Sequence, residues 1–158
     1  MGQSEQKDSL SEEILYKDIK SEYGVIPLTA ISLRVPKHFE EFTSESFGGF
    51  MHKGSAASIV GFEYPDSPYL VESDTLTQKS FAGQGVNLLG TEVSKTHEGL
   101  PCKFYFLKFQ VDNVDVIRVM FFTGTYYKTV HLQANYPLSF DSLLRKVIME
   151  SFRTVKID

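Results

Sequence analysis

The sequence predicts an α+β fold in which one antiparallel β-sheet carries helices on its faces, an α/β/α sandwich. Three observations predict it. Residues 104–136 contain three successive runs whose apolar side chains alternate with a period of two, the repeat of a half-buried strand. Directly after them Phe140, Leu143, Leu144, Val147, Ile148 and Phe152 fall at i, i+3, i+4, i+7, i+8 and i+12, one stripe of an α-helix. Before them lie several short apolar runs separated by Gly, Pro, Asp and Ser, which read as further strands joined by turns.

In chain order, residues 1–9 are polar and read as a disordered tail, and 10–158 as a single α+β domain whose core spans 28–158. Residues 10–23 are a helix candidate: Leu10 and Ile14 form one row, and Leu15, Ile19 and Tyr23 another. Gly24 and Pro27 stop it. Residues 28–35 are the first strand, with Ile31, Leu33 and Val35 on one face and Pro36 at its end. Residues 39–42 continue it briefly. Strands at 48–52 and 57–64 flank a Gly54-Ser55 turn, and Gly48-Gly49 reads as a bulge or bend. Residues 75–84 are a second helix candidate, ended by Gly85. Residues 86–96 form the next strand, and His97-Glu98-Gly99 turns into the central meander.

In the meander, the apolar sets are Tyr105, Leu107, Phe109; Ile117, Val119, Phe121; and Val130, Leu132, Ala134, Tyr136. A loop at Asp112-Asn113-Val114 sets Leu107 opposite Val119 and Phe109 opposite Ile117. A turn over residues 124–127 sets Phe121 opposite Val130 and Val119 opposite Leu132. The C-terminal helix then covers this face, with Ser139 as N-cap and Asp141 in the positive first turn. Residues 153–157 are a last short strand.

Three stretches carry a family resemblance. The first is Ile31-Ser32-Leu33-Arg34-Val35-Pro36 followed by Phe39-Glu40. The second is Ala57-Ser58-Ile59-Val60-Gly61-Phe62, with Val86-Asn87-Leu88-Leu89 after the second helix. The third is Glu98-Gly99-Leu100-Pro101 before paired strands, then Asn135-Tyr136-Pro137 before helix and final strand. Over residues 28–158 the chain resembles the small bacterial members of the Mog1/PsbP-like fold group, in particular uncharacterised exported or lipoprotein-like ones. That resemblance implies an antiparallel sheet with helices on both faces and an accessory role. It brings no catalytic motif and no functional residue, and fold alone does not assign function.

Composition narrows the partners. A net charge of −4 and no visible basic patch argue against nucleic acid. No apolar run reaches the roughly 18 residues of a membrane-spanning helix. No apolar export segment follows Met1, so the chain is expected either in the cytoplasm or exported with its signal absent from this sequence. The single cysteine, Cys102, forms no intrachain disulfide and reads as a buried thiol.

No constellation for catalysis, cofactor or metal stands out. His38, His52, His97 and His131 are scattered and form no metal-binding spacing. A zinc site from His52, His131 and an acid is the one conceivable convergence. Gly54-Ser55-Ala56 lacks the nucleophile elbow, and Gly83-Gln84-Gly85 opens a strand rather than a helix, the reverse of a phosphate loop. Catalytic, metal and cofactor residues are therefore none on this reading.

The aromatic content points elsewhere. Thirteen Phe and eight Tyr with no Trp exceed what one core face uses, leaving Phe104, Phe106, Met120 and Phe122 for the second sheet face, beside Lys108 and Arg118. Either the helix at 75–84 or the N-terminal helix covers them, or they line an apolar groove that serves as a ligand pocket or partner surface. The expected ligand-binding residues are Phe106, Met120, Phe122 and His131, an apolar floor with a polar margin. The sequence thus predicts a non-catalytic binding or accessory protein, of the bacterial cell envelope by resemblance, whose partner is an unidentified protein or small ligand. The alternative is a small hydrolase or metal-dependent enzyme using His131 and its polar neighbours.

Overall fold

A computed structural model describes residues 19–66 and 83–157. Most strands form one antiparallel sheet: β3 (Glu40–Thr43), β4 (Gly48–His52), β5 (Ala57–Pro65), β6 (Asn87–Lys95), β7 (Pro101–Val111), β8 (Val114–Gly124) and β9 (Lys128–Pro137), in the spatial order β3-β4-β5-β9-β8-β7-β6. A second sheet of three strands joins β1 (Gly24–Val25), β2 (Ile31–Leu33) and β10 (Lys156–Ile157) in the order β1-β2-β10. A 3₁₀ turn, Leu138–Phe140, leads into α1 (Asp141–Arg153), the one α-helix among the described residues.

The expected single sheet is thus two. The strand expected at 28–35 does not enter the main sheet. It pairs with β1 across a turn and with β10 beyond the helix. The reason lies in how α1 ends. Thr154 Oγ1 accepts from Arg34 N at 2.9 Å, and Ser151 Oγ donates to Arg34 O at 2.7 Å. The helix terminus thereby satisfies the backbone just past β2 and delivers β10 alongside it. Ile31 and Leu33 are fully buried in the core shared with α1. Gly61 lets the small sheet approach: a Cβ there would lie 2.6 Å from Ile26 Cδ1.

The helix expected at 10–23 lies largely outside the described residues, as does the tail at 1–9. Its last turn is not helical, because Ile19 makes an antiparallel bridge to Pro36 and Lys20 N donates to Val35 O at 2.8 Å. Most of the helix expected at 75–84 is also outside the described residues, and Gly83 to Gly85 form a turn. Gly48-Gly49 makes no bulge; Gly48 pairs with Thr43 of β3 and Gly49 with Phe42 of β3 and Val60 of β5, and a Cβ on Gly49 would fall 1.8 Å from Ile59 O. The irregularity sits in β6 instead, between Leu88 and Gly90.

Along the meander both registers differ from expectation. Phe104 pairs with Phe121, Phe106 with Val119 and Lys108 with Ile117, one residue away from the expected pairing. The connection explains the slip. Val111 pairs with Val114, so the turn has only Asp112 and Asn113 as central residues, at φ 50° and 67°. Two consecutive positive φ values are the mark of a type I′ hairpin turn. At β8–β9, Phe121 pairs with Leu132 and Val119 with Ala134, a two-residue shift that preserves the faces.

The first face of the main sheet therefore carries Phe104, Phe106, Ile117, Val119, Phe121, Val130, Leu132 and Ala134, packed with Leu144, Val147, Ile148 and Phe152 of α1. Phe140 and Leu143, the other two residues of the stripe, are partly buried at its margin. Ser139 does not cap α1. It lies inside the 3₁₀ turn, and Phe140 occupies the cap position without a side-chain bond. Asp141 does sit in the first turn, where it accepts from Arg145 Nε at 3.1 Å, Arg145 Nη2 at 3.0 Å and the Tyr136 hydroxyl at 2.5 Å.

Candidate functional site

The second face is built by alternation from the same strands. Strand β5 contributes Val60 and Phe62, β9 contributes His131, Gln133 and Asn135, and β8 contributes Phe122, Met120, Arg118 and Val116. Strand β7 contributes Tyr105, Leu107 and Phe109, which were expected on the first face. Of the expected site residues, Met120, Phe122 and His131 share this face. Phe106 does not: it lies on the first face, with the Arg145 guanidinium 4.5 Å from its ring centroid. Phe104 is likewise committed to the first core. The one-residue shift set by the Asp112-Asn113 turn moves every β7 side chain to the opposite face.

Around His131 the face is closed by aromatic stacking. The ring lies between Phe122, at 4.5 Å between centroids, and Phe62, at 6.0 Å. These are its two cross-strand neighbours, so the stack runs directly across β8, β9 and β5. Tyr105 meets Phe122 edge-on at 6.0 Å. His131 Nδ1 is 3.3 Å from Phe121 O, and Nε2 is 3.4 Å from Gln133 Oε1. Burial pushes the imidazole pKa down to about 4, against the opposing pull of those two hydrogen bonds. A neutral, sandwiched histidine is a packing group here.

Towards the β7–β8 hairpin the same face opens into a groove of ≈ 450 Å³. Phe109, Val111, Val114, Val116 and Pro137 supply apolar walls. Arg118 projects among them and is the one charged residue of the lining among the described residues. A diagonal neighbour on β7 and the direct partner on β9 hold it: its guanidinium lies 4.6 Å from the Phe109 ring centroid, and Nε donates to Asn135 Oδ1 at 2.8 Å. Desolvation lowers its pKa from the ordinary arginine value, which leaves it charged at neutral pH. Among the described residues no carboxylate pairs with Arg118, and its Nη groups meet no protein acceptor without being sealed from solvent.

The remaining candidates separate. His52 lies on the first face, at the pair His52–Ala57, so it cannot share ligands with His131 across the sheet. Its Nδ1 is 2.9 Å from Ser55 Oγ, a contact the sequence reading missed although the two residues are only three apart. Both side chains are buried, and Ser55 Oγ also accepts from Ala57 N at 3.3 Å, so the pair braces the β4–β5 turn. His97, in the turn before the meander, is partly exposed and pairs with Glu150 at 2.8 Å. Cys102 is fully buried, and burial pushes its thiol up to about 11. Among the described residues no three His, Cys, Asp or Glu side chains come together as a metal site.

A long antiparallel sheet with one helix-covered face and one grooved face defines the class of protein. No protein-family model matches the chain. No curated protein matches it either. Solved structures do. LpqN of Mycobacterium tuberculosis, described as involved in cell envelope biogenesis, is similar with a TM-score of 0.62 at 11% identity over 80% of this chain and 82% of LpqN. The cyanobacterial PsbP protein CyanoP of Synechocystis sp. PCC 6803 has a TM-score of 0.58 at 11% identity over 87% of this chain and 92% of its own. A Pseudomonas aeruginosa protein of unknown function reaches 0.51 at 11% identity, covering 74% of this chain and 95% of its own. The chain has the Mog1/PsbP-like fold, and at these identities the likeness is one of fold alone.

Proposed function

We propose that this chain is a non-catalytic binding or accessory protein that engages its ligand on the second sheet face. The observation that carries this is the groove beside Arg118, where apolar walls and a few polar groups, Arg118 and Asn135, give the usual composition of a binding site. The floor of the expected site is revised. Met120, Phe122 and His131 form the packed inner part of the face, and the accessible part lies around Arg118 and Phe109. A hydrolase built on His131 has less support. Its ring nitrogens face two oxygens, Phe121 O and Gln133 Oε1, of which a neutral ring's one N–H can serve one; its basicity is suppressed, and these neighbours include no nucleophile. LpqN, described as involved in cell envelope biogenesis, suggests a cell-envelope setting for the proposal.

Backbone amide shifts during titration with a panel of anionic, neutral and cationic amphiphiles test this reading. Saturable shifts are expected at Phe109, Val116, Arg118 and Asn135. A panel that leaves those amides unmoved would sink it.

A further inference from the structure

We infer that the Arg118 groove takes a small amphiphilic monocarboxylate, with the carboxylate on the Arg118 guanidinium and its apolar tail along Phe109, Val114 and Val116. This rests on the binding reading above and adds the ligand's chemical class. Two features of the groove select that class.

The first is charge. A guanidinium brought partly out of water among apolar side chains is costly unless an anion accompanies it. Asn135 offers only a neutral acceptor, and only to Nε. Among the described residues nothing accepts from the Nη groups, which form a planar fork that matches the two oxygens of a carboxylate. One positive charge in an apolar lining balances one negative charge. A dianionic phosphate would leave an uncompensated charge against Val116 and Pro137, so a single carboxylate fits better.

The second feature is the wall. Val111 and Val114 end their strands 50% and 51% exposed, and with Phe109 and Val116 they extend the apolar surface from Arg118 towards the hairpin. An unbranched apolar tail would cover these side chains. The guanidinium is also fixed in advance, stacked on Phe109 and tied to Asn135, so little side-chain entropy is lost on binding.

The experiment uses decanoate and 1-decanol as probes, below their aggregation concentrations, with calorimetry and amide shifts as readouts. Decanoate is expected to bind the parent protein more tightly than decanol. Arg118→Met, which keeps an apolar stem and removes the charge, should weaken decanoate about tenfold to a hundredfold. It should leave decanol affinity nearly unchanged. Val114→Trp should weaken both probes by filling the groove while Arg118 stays in place, and it stands as the second variant if Arg118→Met does not fold. Equal affinity of the two probes, with no effect of Arg118→Met, would overturn the carboxylate assignment while leaving a binding groove. Tighter binding of a short peptide ending in Val-Leu than of decanoate, through the same arginine, would overturn the small-acid occupant. Absence of binding by both probes, with no groove amide moving, would overturn the assignment and the binding reading together.

Discussion

His131 should make the stability of this protein fall between neutral pH and pH 4, and a His131→Phe substitution should remove that component. Burial between Phe62 and Phe122 holds the folded pKa near 4, against 6.5 for a free imidazole. Above pH 6.5 the ring is neutral in both states, and folding does not depend on its titration. Between 6.5 and about 4 the unfolded chain takes up a proton that the folded chain does not, so acid favours unfolding. Below pH 4 both states are protonated and this dependence ends. At roughly 1.4 kcal/mol per pH unit, the group contributes about 3 kcal/mol at neutral pH that is lost by pH 4. A domain of this size loses on the order of 1–3 kcal/mol per molar urea, so the parent midpoint should drop by about 1–3 M more than that of His131→Phe across this window. Carboxylates titrate there too, but they do so in both proteins and cancel in the comparison. Phenylalanine keeps the stack and removes the proton, so any constant offset from the lost Gln133 contact leaves the slope untouched. Parallel midpoint-versus-pH curves for the two proteins would refute the claim that His131 is buried neutral.

Other expectations follow from packing and turn geometry. Leu144→Ala should cost about 2–5 kcal/mol by urea titration, because Leu144 is fully buried between α1 and the first face; Val147→Asp should leave little folded protein by circular dichroism. Asn113→Val should cost about 1–3 kcal/mol, since a β-branched residue is forced to a φ of 67°, whereas Asn113→Gly should leave the midpoint equal or higher. Cys102 should react with a thiol reagent only at the rate of unfolding at pH 8, because the thiol is buried and its pKa stands near 11; a burst of labelling in native buffer would contradict that.

How much of this was legible in the sequence depended on whether one face of each strand was visibly polar. Strand β9 alternates Val130, Leu132, Ala134 with His131, Gln133, Asn135, and its faces came out as read. Strand β7 offers no such contrast. Phe104 and Phe106 are as apolar as Tyr105 and Leu107, and both sets are buried, in separate cores. Periodicity alone could not choose between them, and the wrong choice put Phe106 in the site. The deciding signal was the adjacent Asp112-Asn113 pair. Both residue types tolerate positive φ, and a two-residue turn there sets the register that the longer loop missed. The second sheet was less accessible, because β2 meets β10 through hydrogen bonds from Ser151 and Thr154 to Arg34, more than 100 residues away in sequence.

Two of the polar side chains on the second face, His131 and Arg118, show why we propose binding over catalysis. His131 and Arg118 stand on adjacent strands, each between cross-strand neighbours. Histidine has aromatic rings on both sides and an acceptor or partner at each nitrogen, so the fold has used up its chemistry. Arginine has one ring and one amide, which orient the guanidinium but leave its outer donors open to the groove. A general base must exchange protons near neutral pH, and the buried ring does so only in acid. A recognition arginine needs only to hold a fixed charge at a partly dry surface, and Arg118 meets that requirement. On the proposed reading α1 packs against the first face and the ligand takes the grooved end of the second.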